Sequence, residues 1–308
     1  MPSPSPSTSL GRCAVIFNPI KVSSDFRDRM SAALAGQGCA EPVWLPTSEE
    51  DPGQGRAAEA LEAEVDRVIV AGGDGTVRAV ADGLAGSAVP LGIVPAGTAN
   101  LLNYNLGLPR DEAGAIDVAV AGDTATIDLI KITIDDRDPE HFAVMAGAGL
   151  DAMIMDEVSS DLKSSIGTAA YFVAAGKALG RLPMSLRITV DGRRIKHRKA
   201  IMVLIANVGG FPPNIELVPG AAFDDGLLDL MVASPRRLAD WLKIIGRMII
   251  RRQRKDDALE LRRGKRVEVV LEQRDSYQLD GDVAGEFTRM TAEIVPGALH
   301  VVLPADRR

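Results

Sequence analysis

The sequence predicts a protein of two domains, in which a doubly wound α/β domain comes first and an antiparallel β domain follows. The chain has 308 residues, enough for two domains of ordinary size. In its first part, short apolar runs alternate with helical segments, which is typical of a parallel sheet covered on both faces. From about Ala125 onward, apolar and polar residues alternate instead, which indicates antiparallel strands with one solvated face.

The elements of the first domain follow a regular strand–helix order. Buried strands are predicted over 13–17, 42–45, 67–71 and 91–94, and helices over 25–36, 56–65 and 76–86. Because ligands of open α/β sheets bind beyond the carboxyl ends of the strands, the loops after the third and fourth strands are candidate binding loops.

The second domain is predicted from four alternating segments and two helical insertions. The strands cover 125–135, 186–192, 266–272 and 292–304, and the insertions cover 160–181 and 237–255. The hydrophobic pattern changes just after 122–124, and we place the domain boundary there. We therefore predict a disordered Pro/Ser-rich tail over 1–12, an α/β domain over 13–123 and a β domain over 124–304.

Composition excludes several classes of protein. The net charge of −7 and an aromatic content of 4% argue against a general nucleic-acid binder. Two cysteines are too few for a disulfide framework, and no apolar run is long enough to span a bilayer. The N-terminal segment lacks the apolar centre of a signal peptide. These features predict a cytoplasmic protein.

A glycine-rich turn, "GGDGT" from Gly72 to Thr76, connects a predicted strand to a helix. Glycines there allow close backbone approach, and the helix N-terminus favours an anion such as phosphate. Asp74 inside the turn would repel phosphate unless it orients backbone N–H groups or faces a metal ion that the phosphates share. The alternative is an ordinary capped turn. No Walker sequence occurs in the chain.

A second small-residue turn follows the next strand. "PAGTAN" (95–100) contains Gly97, Thr98 and Asn100 at the start of a helix. Neighbouring parallel strands would place both turns at one edge of the sheet. Together they predict a cradle for phosphate groups.

With these two turns the chain resembles the diacylglycerol/sphingosine/ceramide lipid kinase family, in particular its bacterial members. The resemblance extends to segments 15–22, 46–61, 146–155, 206–232 and 278–286. It implies an α/β nucleotide-binding domain, a β-sandwich domain, and transfer of phosphate from ATP, with Mg²⁺, to the hydroxyl of a lipid alcohol.

The resemblance assigns roles to single residues. Positions for nucleotide contact are Thr47, Gly72, Gly73, Asp74, Gly75, Thr76, Val77, Arg78, Gly97, Thr98 and Asn100. Asp282 takes the place of the glutamate read as the base, and Asp74 is the second catalytic candidate. A structural Mg²⁺ is implied at Asp225, with backbone carbonyls of Ala222 and Leu227. From the residues alone, "LDGD" is more simply interpreted as a hairpin turn, and "FDDG" fits a solvated turn as well as it fits a metal site.

Three positions depart from the family pattern. Arg78 replaces an asparagine after the first turn, Leu101 replaces an aspartate after Asn100, and Asp282 is one methylene shorter than glutamate. These departures bear on the choice of nucleotide and lipid.

The sequence also bears on other functions. "GAGLDA" (147–152) mimics a dinucleotide fingerprint but falls in the antiparallel half, where no βαβ unit follows. An NAD kinase-like enzyme and an inactive lipid-binding relative remain alternatives. Segment 241–255 has a basic helical face, which indicates either a core-packed helix whose basic face is solvated or transient contact with an anionic membrane surface. Peripheral membrane association and a homodimer are further expectations.

Overall fold

The computed structural model describes residues 10–39, 41–149, 183–195, 199–212, 215–235, 240 and 258–305. The chain divides into two compact units. The first contains the residues up to Ile127 together with those from Gly297 onward, and the second contains Asp128–Pro296. The units therefore differ from two contiguous domains, because the last strand segment belongs to the first unit.

The first unit is a parallel sheet with helices. Its strands are β1 (Cys13–Phe17), β2 (Val43–Pro46), β3 (Arg67–Gly72) and β4 (Leu91–Pro95), and its helices are α1 (Phe26–Gly36), α2 (Gln54–Glu62), α3 (Asp74–Gly83), α4 (Leu101–Leu106) and α5 (Glu112–Ala121). The strand order is β2-β1-β3-β4, all parallel. Val301 near the C-terminus pairs in parallel with Leu91, which explains why the chain returns to this unit.

Strands β1 and β3 are buried along their whole length, as their continuous apolar runs predict. Helix α5 packs closely on β4, because a Cβ on Gly92 would lie 2.8 Å from the Ala119 Cβ. Arg67 at the start of β3 donates to the carbonyls of Ala119 and Val120, at 3.1 and 2.6 Å. The guanidinium thus satisfies carbonyls at the end of α5.

The second unit consists of strands in its described part. They are β5 (Asp123–Ile134, which begins in the first unit), β6 (Glu140–Phe142), β7 (Met145–Gly149), β8 (Leu186–Val190), β9 (Arg193–Ile195), β10 (Met202–Ala206), β11 (Gly210–Phe211), β12 (Ile215–Glu216), β13 (Leu228–Ala233), β14 (Leu259–Gly264), β15 (Arg266–Leu279) and β16 (Asp282–Leu303, which ends in the first unit).

The long strand β15 joins two sets of strands. Its first half pairs with β8, and its last residues pair with β7 in the order β14-β13-β10-β7-β15. Between them the register with β16 shifts after Val270, as a bulge would produce. A bent strand shared by two sheets is how sandwich folds turn their corners. A core of apolar side chains, including Phe142, Tyr277 and Phe287, fills the unit.

The predicted strands of the first unit are confirmed to within one residue at each end. Helix α5 was missed, as were β7, β10, β13 and β14. The predicted helical insertion 160–181 lies outside the described residues, as does 237–255 except for Asp240. The helices in the described part of the chain all lack the length and apolarity that a bilayer crossing requires.

Candidate active site

The carboxyl ends of four parallel strands meet at one edge of the first unit. Beyond the regular pairing, the amide of Asn18 donates to Ala71 O at 2.9 Å, that of Thr47 to Phe17 O at 2.9 Å, and that of Ala96 to Gly72 O at 2.8 Å. These bonds extend the ladder past each strand end. The loops after β1, β2, β3 and β4 therefore leave the sheet side by side, as the sequence predicted for the two glycine turns.

Asp74 connects the two glycine turns. It lies in the first turn of α3, and its carboxylate accepts from the amide of Asn100 at 2.9 Å and from the amide of Leu101 at 2.5 Å. Asn100 is the N-cap of α4, so Asp74 bonds N–H groups at the start of a second helix. These contacts fit one of the two roles considered for this carboxylate, the orientation of backbone N–H groups. Leu101, where the family has aspartate, is buried and contributes its amide.

Asn100 holds the second turn closed. It adopts a left-handed conformation with φ of 47°, and its side chain both accepts from Gly97 N at 2.9 Å and donates to Gly97 O at 2.8 Å. The turns touch at their glycines, because a Cβ on Gly97 would lie 2.7 Å from Gly73 Cα. Only glycine fits at this contact without separating the turns.

The N-terminus of α3 follows directly from the first glycine turn and is well suited to bind an anion. Its N-cap is Gly73, which has no side chain that could cap the helix. The first N–H groups of any helix have no partner inside the helix, and the dipole adds positive potential there. The Lys21 ammonium lies at the same point, since a Cβ on Gly73 would be 2.7 Å from Lys21 Nζ. Backbone donors and a cation thus converge as a phosphate group requires.

The remaining predicted nucleotide residues have different environments. Thr47 and Thr76 are buried, and Thr76 packs against Gly72, where an added Cβ would lie 2.7 Å from Thr76 Cβ. Val77 is buried on the inner face of α3, so its side chain serves the core. Gly75 and Arg78 are half-buried, and Thr98 is exposed. The structure brings these residues to one edge, but nucleotide contact stays a prediction for each of them.

Lys21 was missed by the sequence reasoning. It follows an Asn-Pro turn in which the Asn18 side chain accepts from the amide of Ile20 at 3.0 Å and Asn18 O accepts from the amide of Lys21 at 3.1 Å. The sequence feature that could have identified it is a basic residue in the loop after β1, because the carboxyl ends of parallel strands are where ligands bind. Lys21 lies inside segment 15–22, which resembles the family.

In the second unit, Asp282 stands beside a tight hairpin. Leu279 pairs with Asp282, and the two residues between them have positive φ, 46° at Asp280 and 97° at Gly281. Two positive φ values are the mark of a type I′ turn. Asp280 is buried and accepts from the amides of residues 143, 144 and 145, which anchors the hairpin. Asp282 is exposed, so its carboxylate is accessible to a substrate.

The predicted magnesium ligands do not fit a cation as they stand. Asp225 is exposed, its Oδ1 accepts from the amide of Leu227 at 3.1 Å, and its Oδ2 lies 3.3 Å from Arg263 Nη2. A guanidinium at this distance would repel Mg²⁺. The described residues also hold no group of three or more His, Cys, Asp or Glu side chains suited to a metal. Nothing here shows a role for the Ala222 carbonyl.

Two family models together match most of the chain. Residues 12–132 match the family model described as diacylglycerol kinase catalytic domain, and residues 144–303 match the YegS C-terminal NAD kinase beta sandwich-like domain. A protein named diacylglycerol kinase from Mycobacterium tuberculosis is 32% identical over 251 residues, 80% of each chain. One of the same name from Bacillus subtilis is 28% identical and covers 96% of this chain and 97% of its own length.

Solved structures share the fold. A crystal structure of a diacylglycerol kinase from Bacillus anthracis superposes with a TM-score of 0.72 at 22% identity, over 96% of this chain and 98% of that one. Both parts of the predicted fold class, an α/β domain followed by a β-sandwich, are confirmed.

Proposed function

Because the chain belongs to the diacylglycerol kinase family, we propose that it transfers the γ-phosphate of ATP to the hydroxyl group of a lipid alcohol. The acceptor would be of the diacylglycerol or sphingoid type. Relatives with the name diacylglycerol kinase support kinase chemistry.

The proposal is supported by the edge of the first unit where the loops after β1, β3 and β4 bring Lys21, Gly73 and Gly97 together. Phosphoryl transfer depends on positioning the phosphates and neutralising their charge rather than on covalent chemistry by the protein. The N-terminus of α3 supplies backbone donors, and the glycines at 73 and 97 let the two turns lie in direct contact. Lys21 adds a positive charge beside Gly73. Asp74 and Asn100 keep the two turns together and need not touch the nucleotide.

We propose Asp282 as the base that takes the proton of the lipid hydroxyl. The type I′ turn at Asp280–Gly281 and the buried carboxylate of Asp280 hold the strand end that presents it. A positioned base typically contributes about 10²–10⁴-fold to the rate. Mg²⁺ would arrive bound to ATP and neutralise phosphate charge.

The test is transfer of label from γ-labelled ATP to diacylglycerol, a sphingoid base or ceramide in mixed micelles, with NAD as a separate acceptor. We expect label in a lipid product. Lys21→Met should raise KM for ATP by about 10-fold, the value of one partly exposed charge-assisted hydrogen bond. Lys265→Met removes an exposed lysine from the second unit and serves as the control.

The two parts of the proposal can fail separately. Label in NAD alone would contradict the lipid acceptor. Lipid phosphorylation at an unchanged KM for ATP in Lys21→Met would leave the activity standing and remove Lys21 from the phosphate site.

A further inference from the structure

Arg263 gathers four oxygen atoms from three residues of the second unit. Its Nε donates to Asp229 Oδ1 at 2.8 Å and its Nη2 to Asp229 Oδ2 at 3.3 Å, which is a two-point grip on one carboxylate. Nη2 also donates to the carbonyl of Gly220 and lies 3.3 Å from Asp225 Oδ2. Two carboxylates and a carbonyl thus surround one positive group.

The fold places these groups together. Asp229 on β13 is the direct antiparallel partner of Arg263 on β14, so their side chains leave the sheet on the same face. Asp225 lies in the turn that leads into β13, and this turn is fixed by Gly226, with φ of 70° and an amide that donates to Asp128 Oδ2 at 2.7 Å. The arrangement therefore follows from strand register and turn geometry.

The oxygen set is of the kind that binds a hard divalent cation. Carboxylate and carbonyl oxygens are the ligands that Mg²⁺ and Ca²⁺ prefer in proteins. Here the position between these oxygens is filled by Arg263, whose guanidinium is always charged and matches the geometry of a carboxylate. A divalent ion bound to Asp225 would stand next to the guanidinium, and the repulsion between them disfavours such binding.

We propose that Arg263 replaces a structural divalent cation in this protein, so that the Asp225 turn and the β13–β14 pair are held together without a bound metal ion. The proposal does not depend on the proposed function, and it concerns only metal held by this turn. Mg²⁺ that accompanies ATP is a separate matter.

Burial makes the counter-charge of Asp229 important for the folded state. Asp229 is buried, and both oxygens of its carboxylate accept hydrogen bonds from the Arg263 guanidinium. Removing the guanidinium would leave a buried carboxylate without its counter-charge, which is costly for the folded state. A divalent ion is the simplest replacement for that charge.

The experiment compares melting temperatures of the full chain, without nucleotide, in MgCl₂ and in NaCl of matched ionic strength after treatment with EDTA. The wild-type Tm should be the same in both salts. Arg263→Met should lower Tm in NaCl by about 4 °C or more, and MgCl₂ should restore part of the loss. Adding Asp229→Asn to Arg263→Met should abolish the response to Mg²⁺.

Arg262→Met is the matched control, because Arg262 is the neighbouring residue of β14, is exposed and pairs with Glu260 at 2.5 Å. We expect it to have little effect on Tm and no response to Mg²⁺. Arg263→Gln is measured alongside, since it keeps a hydrogen-bond donor and serves if the Met variant does not fold. It should show the same Mg²⁺ dependence.

Two results would overturn the proposal. One is a wild-type Tm that rises in MgCl₂ and loses the rise in Asp225→Asn, which would show a metal at this turn despite Arg263. The other is the same Tm in both salts for every folded Arg263 variant, which would make Arg263 an ordinary ion pair.

Discussion

Removing the Asp74 carboxylate should loosen the second glycine turn before it affects the rest of the first unit. Asp74→Ala deletes two charge-assisted hydrogen bonds, to the amides of Asn100 and Leu101 at 2.9 and 2.5 Å. Such bonds contribute about 1.5–3 kcal/mol each when buried. Asp74 is half-buried and water can replace part of the loss, so we expect about 2–3 kcal/mol in total.

Hydrogen exchange measures this loss at the bonds themselves. A cost of 2–3 kcal/mol corresponds to about 30- to 150-fold faster exchange of the amides at the start of α4, if they exchange by local opening. Affinity for ATP should fall as well, because Gly97 would no longer be held against Gly73. Asp74→Asn keeps one carbonyl acceptor and should lie between Ala and wild type.

Asp111 provides a matched control in the same unit. It is the N-cap of α5, and its side chain accepts from the amide of Gly114 at 2.8 Å. Asp111→Ala should cost about 1 kcal/mol, as loss of a cap does, and leave ATP affinity unchanged. The reasoning would be refuted if Asp74→Ala left the amides of Asn100 and Leu101 as protected as in wild type.

Three further predictions test other parts of the account. Gly97→Ala should lower the affinity for ATP, because an added Cβ would separate the two turns. Gly36→Ala is the control and should leave the affinity unchanged, since a Cβ there meets nothing within 4 Å. Equal affinities of the two variants would contradict the contact between Gly97 and Gly73. Asp282→Asn should lower kcat by about 10²–10⁴-fold with KM for ATP unchanged, and Asp282→Glu should stay active; near wild-type turnover by the Asn variant would make Asp282 a turn residue. Burial raises the pKa of the Cys13 thiol to about 12. The stability that the buried, protonated thiol contributes is therefore fully present below about pH 8.5 and is lost as the pH rises toward 12. The thiol of the native protein should also react with a disulfide reagent far more slowly than that of the protein unfolded in urea, and similar rates would contradict this burial.

The sequence was most informative where a local pattern decides the structure. Strands β1 and β3 could be located because each is a continuous apolar run that ends at polar, charged or glycine residues. Helix α5 was missed because "EAGAIDVAVA" is apolar nearly all round and lacks the periodicity of an amphipathic helix. Strand β13 was missed for a similar reason, since it is buried throughout and shows no alternation.

The site could be predicted only as far as its motifs. The two turns identified Asp74, and its contacts fit one of its two expected roles, but the amides that it accepts from lie 26 and 27 residues away. Lys21 reaches Gly73 across the sheet edge, which depends on the positions of loops after two different strands. Arg263 and Asp229 are 34 residues apart, and only the register of β13 and β14 makes them neighbours. Long-range pairing of this kind leaves no periodic trace in one sequence.

The most direct test of the proposed function is one labelling experiment. The purified chain is incubated with γ-labelled ATP, Mg²⁺ and mixed micelles that contain a diacylglycerol, a sphingoid base or ceramide, and label is followed into the lipid phase. We predict a phosphorylated lipid from at least one acceptor, with formation reduced in Asp282→Asn and unaffected in Lys265→Met. Label that stays in ATP and inorganic phosphate with every lipid, while ATP still binds, would contradict the assignment of a lipid kinase.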